Sequence, residues 1–312
     1  VPAISAIVCT YTEARWDDLL AAVASLGRQT LPPCEIIVVV DHNSALLARV
    51  RAELGDVAAR PNVEARGLAG ARNSGVRVAQ GDIVAFLDDD AIAAPDWLAR
   101  LAAAYDDERV AGAGGAVEPL WEDGRPAWLP EEFDWVLGCS YRGLPQRAAA
   151  VRNLFGGAMS LRREAFEAAG GFRHRLGRVG SGAAGCEETE LCVRIQQRRP
   201  GCVFLFQPSA RIYHRVPAAR ARWAYFRART YGEGLSKAQV TAAVGANDGL
   251  SVEWQYVLRT LPRGVARGLA GALRGEGPAG VARAAAIVAG LALTVAGYTV
   301  GTGRRLLWNA RV

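Results

Sequence analysis

The residues best placed to do chemistry in this sequence are Asp88, Asp89 and Asp90, three consecutive carboxylates closing the stretch GDIVAFLDDD at positions 81–90. Ile83 to Leu87 have the apolar, β-branched and aromatic character of a strand buried on both faces. Three acidic groups cannot stay inside such a core, so they must lie where the strand leaves the sheet. In open α/β sheets that end of a strand is where ligands bind. In extended backbone Asp88 and Asp90 point to the same side. Two hard oxygen donors facing one spot suit Mg²⁺ or Mn²⁺ carrying a diphosphate. The competing reading is an acidic turn that caps a helix, since Pro95, Asp96 and Trp97 look like a helix start.

A second acidic group lies at CEETELCVRIQ, positions 186–196. Glu187, Glu188 and Glu190 fall in the first turn of a predicted helix, where the macrodipole favours negative charge. Glu190 and Arg194 are four apart in the stabilising order, so Glu190 reads as structural. Glu187 and Glu188 stand at the mouth of the helix, where a carboxylate can reach a substrate. His214 ends a short apolar run (ARIY). A lone histidine there is usually structural, but borderline metals accept imidazole beside carboxylates.

The elements that must position these groups alternate. Residues 3–10 read as a buried strand, 12–27 as an amphipathic helix with Leu19, Leu20, Val23 and Leu26 in register, and 35–40 (EIIVVV) as a second strand ending at Asp41. A helix over 44–54, a short strand at 63–65 and a glycine-led helix over 67–79 precede the strand that carries the aspartates. This alternation predicts a doubly wound, mostly parallel sheet with flanking helices. The GAGGAV run at 112–117 lacks the last glycine of a dinucleotide loop, and the single lysine, Lys237, has no P-loop glycines before it. Residues 118–141 are dense in aromatics and prolines, reading as a segment anchored by large side chains, some free to stack on an acceptor. A strand, turn and short helix follow over 152–171. Residues 172–185, rich in Gly, Arg and His, read as a mobile loop. Two strands, 202–207 and 210–213, close the compact part.

Composition sets bounds. With 51% hydrophobic and 22% charged residues the chain is globular, and its net charge of +6 is nearly all arginine, concentrated late in the sequence. Such patches suit phosphates or an anionic membrane better than base readout, and no nucleic-acid-binding signature accompanies them. Six cysteines without a C-x-x-C pair suggest free thiols in a reducing compartment, and no leader sequence is expected. Residues 284–303 hold no charge, the length needed to cross a bilayer, and Gly297 and Gly301 have the small-xxx-small spacing of packed membrane helices. Arginines are denser before this segment than after it, so the preceding domain is expected on the cytoplasmic face of the membrane.

Together these pieces resemble the family 2 inverting glycosyltransferases of GT-A fold, over roughly residues 4–229. The resemblance rests on VCTYTE (8–13), the strand ending in Asp41, GLAGARNSG (67–75), the D-x-D stretch 88–90, the GGF turn (170–172) and EETEL. It implies a nucleoside-diphosphate sugar donor, first of all a UDP-sugar, held by Thr10, Tyr11, Glu13, Asp41, Arg72, Asp88 and Asp89. It implies Mn²⁺ or Mg²⁺ on Asp90, His214 and Asp88, and Glu188 as catalytic base with Glu187 as the alternative. Trp135, Gly156, Gly157, Arg173 and Arg178 are expected on the acceptor side, the acceptor being a glycan or lipid-linked sugar such as a polyprenyl-phosphate conjugate. The expected division is 1–115 for the donor half, 116–235 for the acceptor and base half, 236–283 for a helical extension and 284–303 for the membrane segment. Two departures stand out: His42 where relatives carry a second aspartate, and Glu-Glu where the base usually lies in Glu-Asp. The competing functions are a sugar-phosphate nucleotidyltransferase, a glycosidase using paired carboxylates, and a catalytically silent membrane-attached scaffold.

Overall fold

The computed structural model describes residues 2–174, 176–177 and 185–309. The chain forms two compact units: Val1–Glu118, Pro145–Gly182 and Glu187–His214 make the first, and Pro119–Leu144, Ala183–Cys186 and Arg215–Val312 the second.

The strands are β1 (Ile4–Thr10), β2 (Glu35–Val40), β3 (Ala58–Pro61), β4 (Ile83–Asp88), β5 (Ala91–Ala93), β6 (Val110–Trp121), β7 (Ala149–Val151), β8 (Ala158–Arg162) and β9 (Val203–Val216). They form one sheet in the order β3-β2-β1-β4-β8-β6-β9-β5, with β7 also on β9. Pairing of β1 with β2, β1 with β4, and β2 with β3 is parallel, as the sequence predicts. Beyond β4 the pairs β4–β8, β6–β8, β5–β9 and β7–β9 are antiparallel, so the sheet is mixed. The expectation of a mostly parallel sheet therefore holds for β1 to β4 alone.

Helices α1 (Trp16–Gly27), α2 (Ser44–Glu53), α3 (Leu68–Val78), α4 (Trp97–Ala102), α5 (Arg163–Ala169) and α6 (Glu187–Arg198) cover this sheet. Strand periodicity sorts the core. Ile7, Ile37, Val39, Val84 and Phe86 join Val76, Phe166, Leu191 and Ile195 in one apolar cluster. Val8, Val38, Val40 and Leu87, one residue out of phase, are equally buried and point the other way. The GAGGAV run is part of β6, where a Cβ at Gly112 would stand 2.6 Å from a Leu161 methyl and one at Gly115 1.9 Å from the Ala210 carbonyl. Its glycines let strands approach, which is why it resembles a nucleotide loop without being one.

Three boundaries differ from expectation. The third strand lies at 58–61 and not 63–65, because Asn62 and the residues after it form a polar loop in which Val63 is exposed. The two strands expected at 202–207 and 210–213 are one strand, β9, with Pro208 inside it. The first helix is preceded by a short 3-10 turn, Glu13–Arg15, capped by the Thr12 hydroxyl, which accepts from the Ala14 N–H at 3.3 Å. The predicted loop 172–185 lies largely outside the described residues.

In the second unit the aromatic segment is spent on one cluster. Phe133 lies 5.4 Å from Trp135 and 5.4 Å from Phe226, and Phe226 lies 5.5 Å from Trp128 between ring centroids. Phe226 belongs to α7 (Trp223–Val244). The terminal helix Pro278–Asn309 contains a 27-residue stretch, Pro278–Arg304, long and apolar enough to cross a membrane by length and composition.

Candidate active site

β4 delivers Asp88 to the end of the sheet, and the next two residues turn the chain into β5. β5 pairs with β9 so that Ala91 stands opposite His214. The pairing brings the imidazole to the acidic turn, with His214 Nε2 3.2 Å from Asp90 Oδ1. One ligand atom from each of Asp88, Asp90 and His214 lies within 4.8 Å of the other two. Asp90 and His214 are buried and Asp88 is partly open. Two carboxylate oxygens and an imidazole nitrogen form the donor set that Mn²⁺ or Mg²⁺ accepts, so the residues present fit a divalent ion.

Asp89 does different work. Its carboxylate is buried and accepts from Arg15 Nη1 at 2.8 Å, and the same Nη1 lies 3.3 Å from Asp90 Oδ2. Burial pushes the Asp89 carboxyl up to about 6, the neighbouring Asp90 charge adds to this, and Arg15 and Thr10 oppose it. Arg15 was not among the predicted site residues. The signal for it was weak: an arginine five residues past the end of β1, where α1 starts and the sheet edge opens.

Thr10, Tyr11, Arg15, Asp41, Asp88, Asp89 and Asp90, with Cys9, Leu68 and Ala71, line an open cleft along the ends of β1, β2 and β4. Asp41 is fixed there by two donors: Asn62 Nδ2 at 2.6 Å to one oxygen and the Gly67 N–H at 3.0 Å to the other. Gly67 has φ of 125°, a conformation that favours glycine, and this allows its N–H to face Asp41 just before α3 begins. Asn62, also missed from sequence, is itself held by the Ser74 hydroxyl, which donates to its Oδ1 at 2.9 Å. Tyr11 is partly exposed, with the Arg15 guanidinium 5.7 Å from its ring centroid. Glu13 opens the 3-10 turn and is exposed. His42 takes a positive φ of 49° and its Nε2 lies 2.8 Å from the Glu64 carbonyl.

Arg72 is 2% exposed. Its Nη1 donates to Glu187 Oε1 at 3.2 Å and its Nη2 to Asp88 Oδ1 at 3.3 Å, while the guanidinium lies 5.6 Å from the Phe86 ring centroid and 5.4 Å from that of Phe172. The resemblance implies a contact with base or ribose; the structure gives Arg72 partners inside the protein. Gly156 and Gly157 sit against the same group: a Cβ at Gly156 would meet Arg72 Nη1 at 2.9 Å, and one at Gly157 would meet Asp88 Oδ2 at 2.2 Å.

α6 divides its carboxylates by burial. Glu190 is fully buried and accepts from Arg194 at 2.9 and 2.7 Å, with Arg173 Nε 3.1 Å away. Arg194 Nη2 also donates to the Gly171 carbonyl at 2.7 Å, tying α6 to the end of α5. Glu187 is buried, and its Oε2 has no hydrogen-bond partner among the described residues. Glu188 is half-buried and accepts from the Thr189 hydroxyl at 3.4 Å. Trp135 belongs to the second unit, where its indole N–H donates to the Tyr256 hydroxyl at 3.0 Å. Arg178 lies outside the described residues.

The family profile described as Glycosyl transferase family 2 matches residues 5–170. The chain is 35% identical over 238 residues to a glucosyl-dolichyl phosphate glucuronosyltransferase of Haloferax volcanii, covering 75% of this chain and 76% of that protein. This chain belongs to glycosyl transferase family 2. It is also 26% identical over 260 residues to the succinoglycan biosynthesis protein ExoM of Rhizobium meliloti, covering 80% of this chain and 78% of that protein. Among solved structures it resembles the mannosyltransferase PcManGT from Pyrobaculum calidifontis in complex with GDP-Man and Mn²⁺, at TM-score 0.58 and 21% identity over 99% of this chain and 88% of that one. It also resembles GalNAc-T7 with UDP, GalNAc and Mn²⁺, at TM-score 0.54 and 19% identity, covering 82% of this chain and 54% of that one. At these identities the structural likeness speaks for the fold, which is GT-A. The protein is a glycosyltransferase enzyme.

Proposed function

We propose that this glycosyltransferase moves a sugar from a nucleoside-diphosphate sugar to an acceptor hydroxyl with inversion, using a divalent ion and Glu188 as base. The observation that carries the reading is the meeting of Asp88, Asp90 and His214, with ligand atoms within 4.8 Å, at a cleft lined by Thr10 and Asp41. Asp41, with both oxygens oriented, offers a fixed acceptor to a base or ribose donor. When bound, Mn²⁺ or Mg²⁺ supplies Lewis-acid neutralisation of a leaving diphosphate.

The chain's own residues do the rest. An alcohol has a pKa far above neutral, so its proton must leave as the new bond forms to the anomeric carbon. Glu188 takes that proton while the bond from the anomeric carbon to the diphosphate breaks, its electron pair leaving with the phosphate oxygen. Glu187 is the weaker candidate, because Oε1 is committed to Arg72 in a buried pair. Arg15, 2.8 Å from Asp89 and 3.3 Å from Asp90, places a fixed positive charge at the same turn.

A UDP-sugar is the first donor to test and a GDP-sugar the second, since the GT-A proteins it resembles were solved with UDP and GDP-Man. Similarity to a glucosyl-dolichyl phosphate glucuronosyltransferase supports a lipid-linked sugar acceptor. The apolar terminal helix supports membrane association, and the arginine bias favours the cytoplasmic face. A thermal-shift panel of nucleoside diphosphates with and without Mn²⁺ tests the reading: a metal-dependent rise with at least one nucleotide is expected, and no rise with any of them refutes it.

A further inference from the structure

Among the described residues, the terminal helix of the second unit leaves an apolar stripe uncovered. The terminal helix runs parallel to α7: Gly290 meets Phe226, Gly297 meets the Tyr231 carbonyl, and Gly301 meets Ala238. Val281, Val288 and Val295, seven residues apart, face outward and are 51%, 59% and 54% exposed. A helix face bathed in water carries charged residues, yet residues 284–303 contain none. The Leu261–Gly271 helix runs antiparallel beside the first part, with Gly268 against Gly280 and Gly264 against Ile287. Around that helix Trp254, Leu258, Leu269 and Leu273 are also exposed, Leu273 by 90%. Residues 254–275 hold four arginines, Arg259, Arg263, Arg267 and Arg274, all exposed, and no Asp or Glu.

We infer that this face docks onto a bilayer surface carrying anionic lipids, with the terminal helix lying along the interface and not crossing it. The inference rests on the membrane association proposed above and decides its form. A helix that crosses needs hydrocarbon-compatible neighbours along its length. Level with Gly280–Ile287 stand Arg263 and Arg267, flanking the two glycines that pack there. Level with Thr294–Gly301 stand Glu233 and Lys237, on either side of Gly234 and paired at 3.4 Å, with Lys237 also 2.6 Å from Glu253. Ionised groups flank both halves, which leaves the outward valine stripe as the side of the terminal helix that meets acyl chains. Arg267 pairs with Glu132, whereas Arg259 and Arg274 stand exposed next in sequence to Leu258 and Leu273, with Arg263 also exposed, the arrangement of an interfacial helix whose cations meet lipid phosphates.

The test is flotation of the full chain with preformed vesicles of phosphatidylcholine alone or mixed with phosphatidylglycerol. Binding to the anionic vesicles, weakened by salt, is expected. Neutralising each arginine should weaken it about fivefold, so Arg259→Gln with Arg263→Gln should cost about 25-fold. Val288→Asp with Val295→Asp should also release the protein, with an unfolding midpoint matching the parent. If the arginine pair leaves vesicle binding unchanged and only detergent releases the protein, the helix crosses the bilayer; association then stands and surface docking falls. If neither vesicle binds, both fall. If the valine pair instead dissolves a stable dimer, a second copy covers the face and docking is overturned.

Discussion

Removing the Arg72 guanidinium while keeping the side chain's bulk, as in Arg72→Met, strikes the buried link between α3, β4 and α6. Its side chain is 3% exposed and that of Glu187 6%, so the variant strands a carboxylate with no water to receive it. Breaking one partner of a buried ion pair costs about 3–5 kcal/mol. Asp88, with a side chain 34% exposed, is solvated and adds little. The sum is a large share of the roughly 5–15 kcal/mol that holds a domain folded. Replacing both partners by apolar residues of similar volume is close to neutral, so Arg72→Met with Glu187→Met should recover most of the loss. Equilibrium unfolding in urea followed by near-ultraviolet circular dichroism measures these two and the Glu187→Met single variant, and the departure of the double from the sum of the singles isolates the pair. A cost below about 1 kcal/mol for Arg72→Met, or a double variant no more stable than that single one, would refute the assignment of a dry ion pair.

Glu188→Gln keeps shape and removes the proposed proton acceptor; turnover should fall by at least about 100-fold with donor affinity unchanged, and near-normal turnover in a steady-state assay would eliminate it as base. Gly157→Ala puts a Cβ 2.2 Å from Asp88 Oδ2 and must displace that carboxylate, so a Mn²⁺ titration by thermal shift should show weaker metal-dependent stabilisation than the parent. Gly297→Leu would set a Cβ 2.1 Å from the Tyr231 carbonyl, and overpacking of this kind costs about 1–3 kcal/mol, visible as a lowered unfolding midpoint.

The sequence by itself determined strands β1, β2 and β4 and the place of the aspartates, because both follow from local rules. An apolar run that stops at three carboxylates must end at a sheet edge, and Glu190 with Arg194 on one helical face need no distant partner to be recognised. Folding also left legible the glycine-led start of α3 and the helix carrying Glu187 and Glu188. Tertiary structure alone decided what those groups meet. His214 reaches Asp90 through the antiparallel pairing of β5 with β9, more than 120 residues apart in the chain, and no periodicity within either segment encodes that partner. The Arg72–Glu187 pair spans 115 positions, and the Arg15 contact with Asp89 spans 74. The same holds at the far end of the chain, where composition marked an apolar helix and only its packing showed which face α7 occupies and which stays bare. Local patterns record how a segment trades backbone hydrogen bonds and burial. Contacts between charges remote in sequence arise only when several such segments close on one another, so the pairing of strands, and not the strands themselves, made the site.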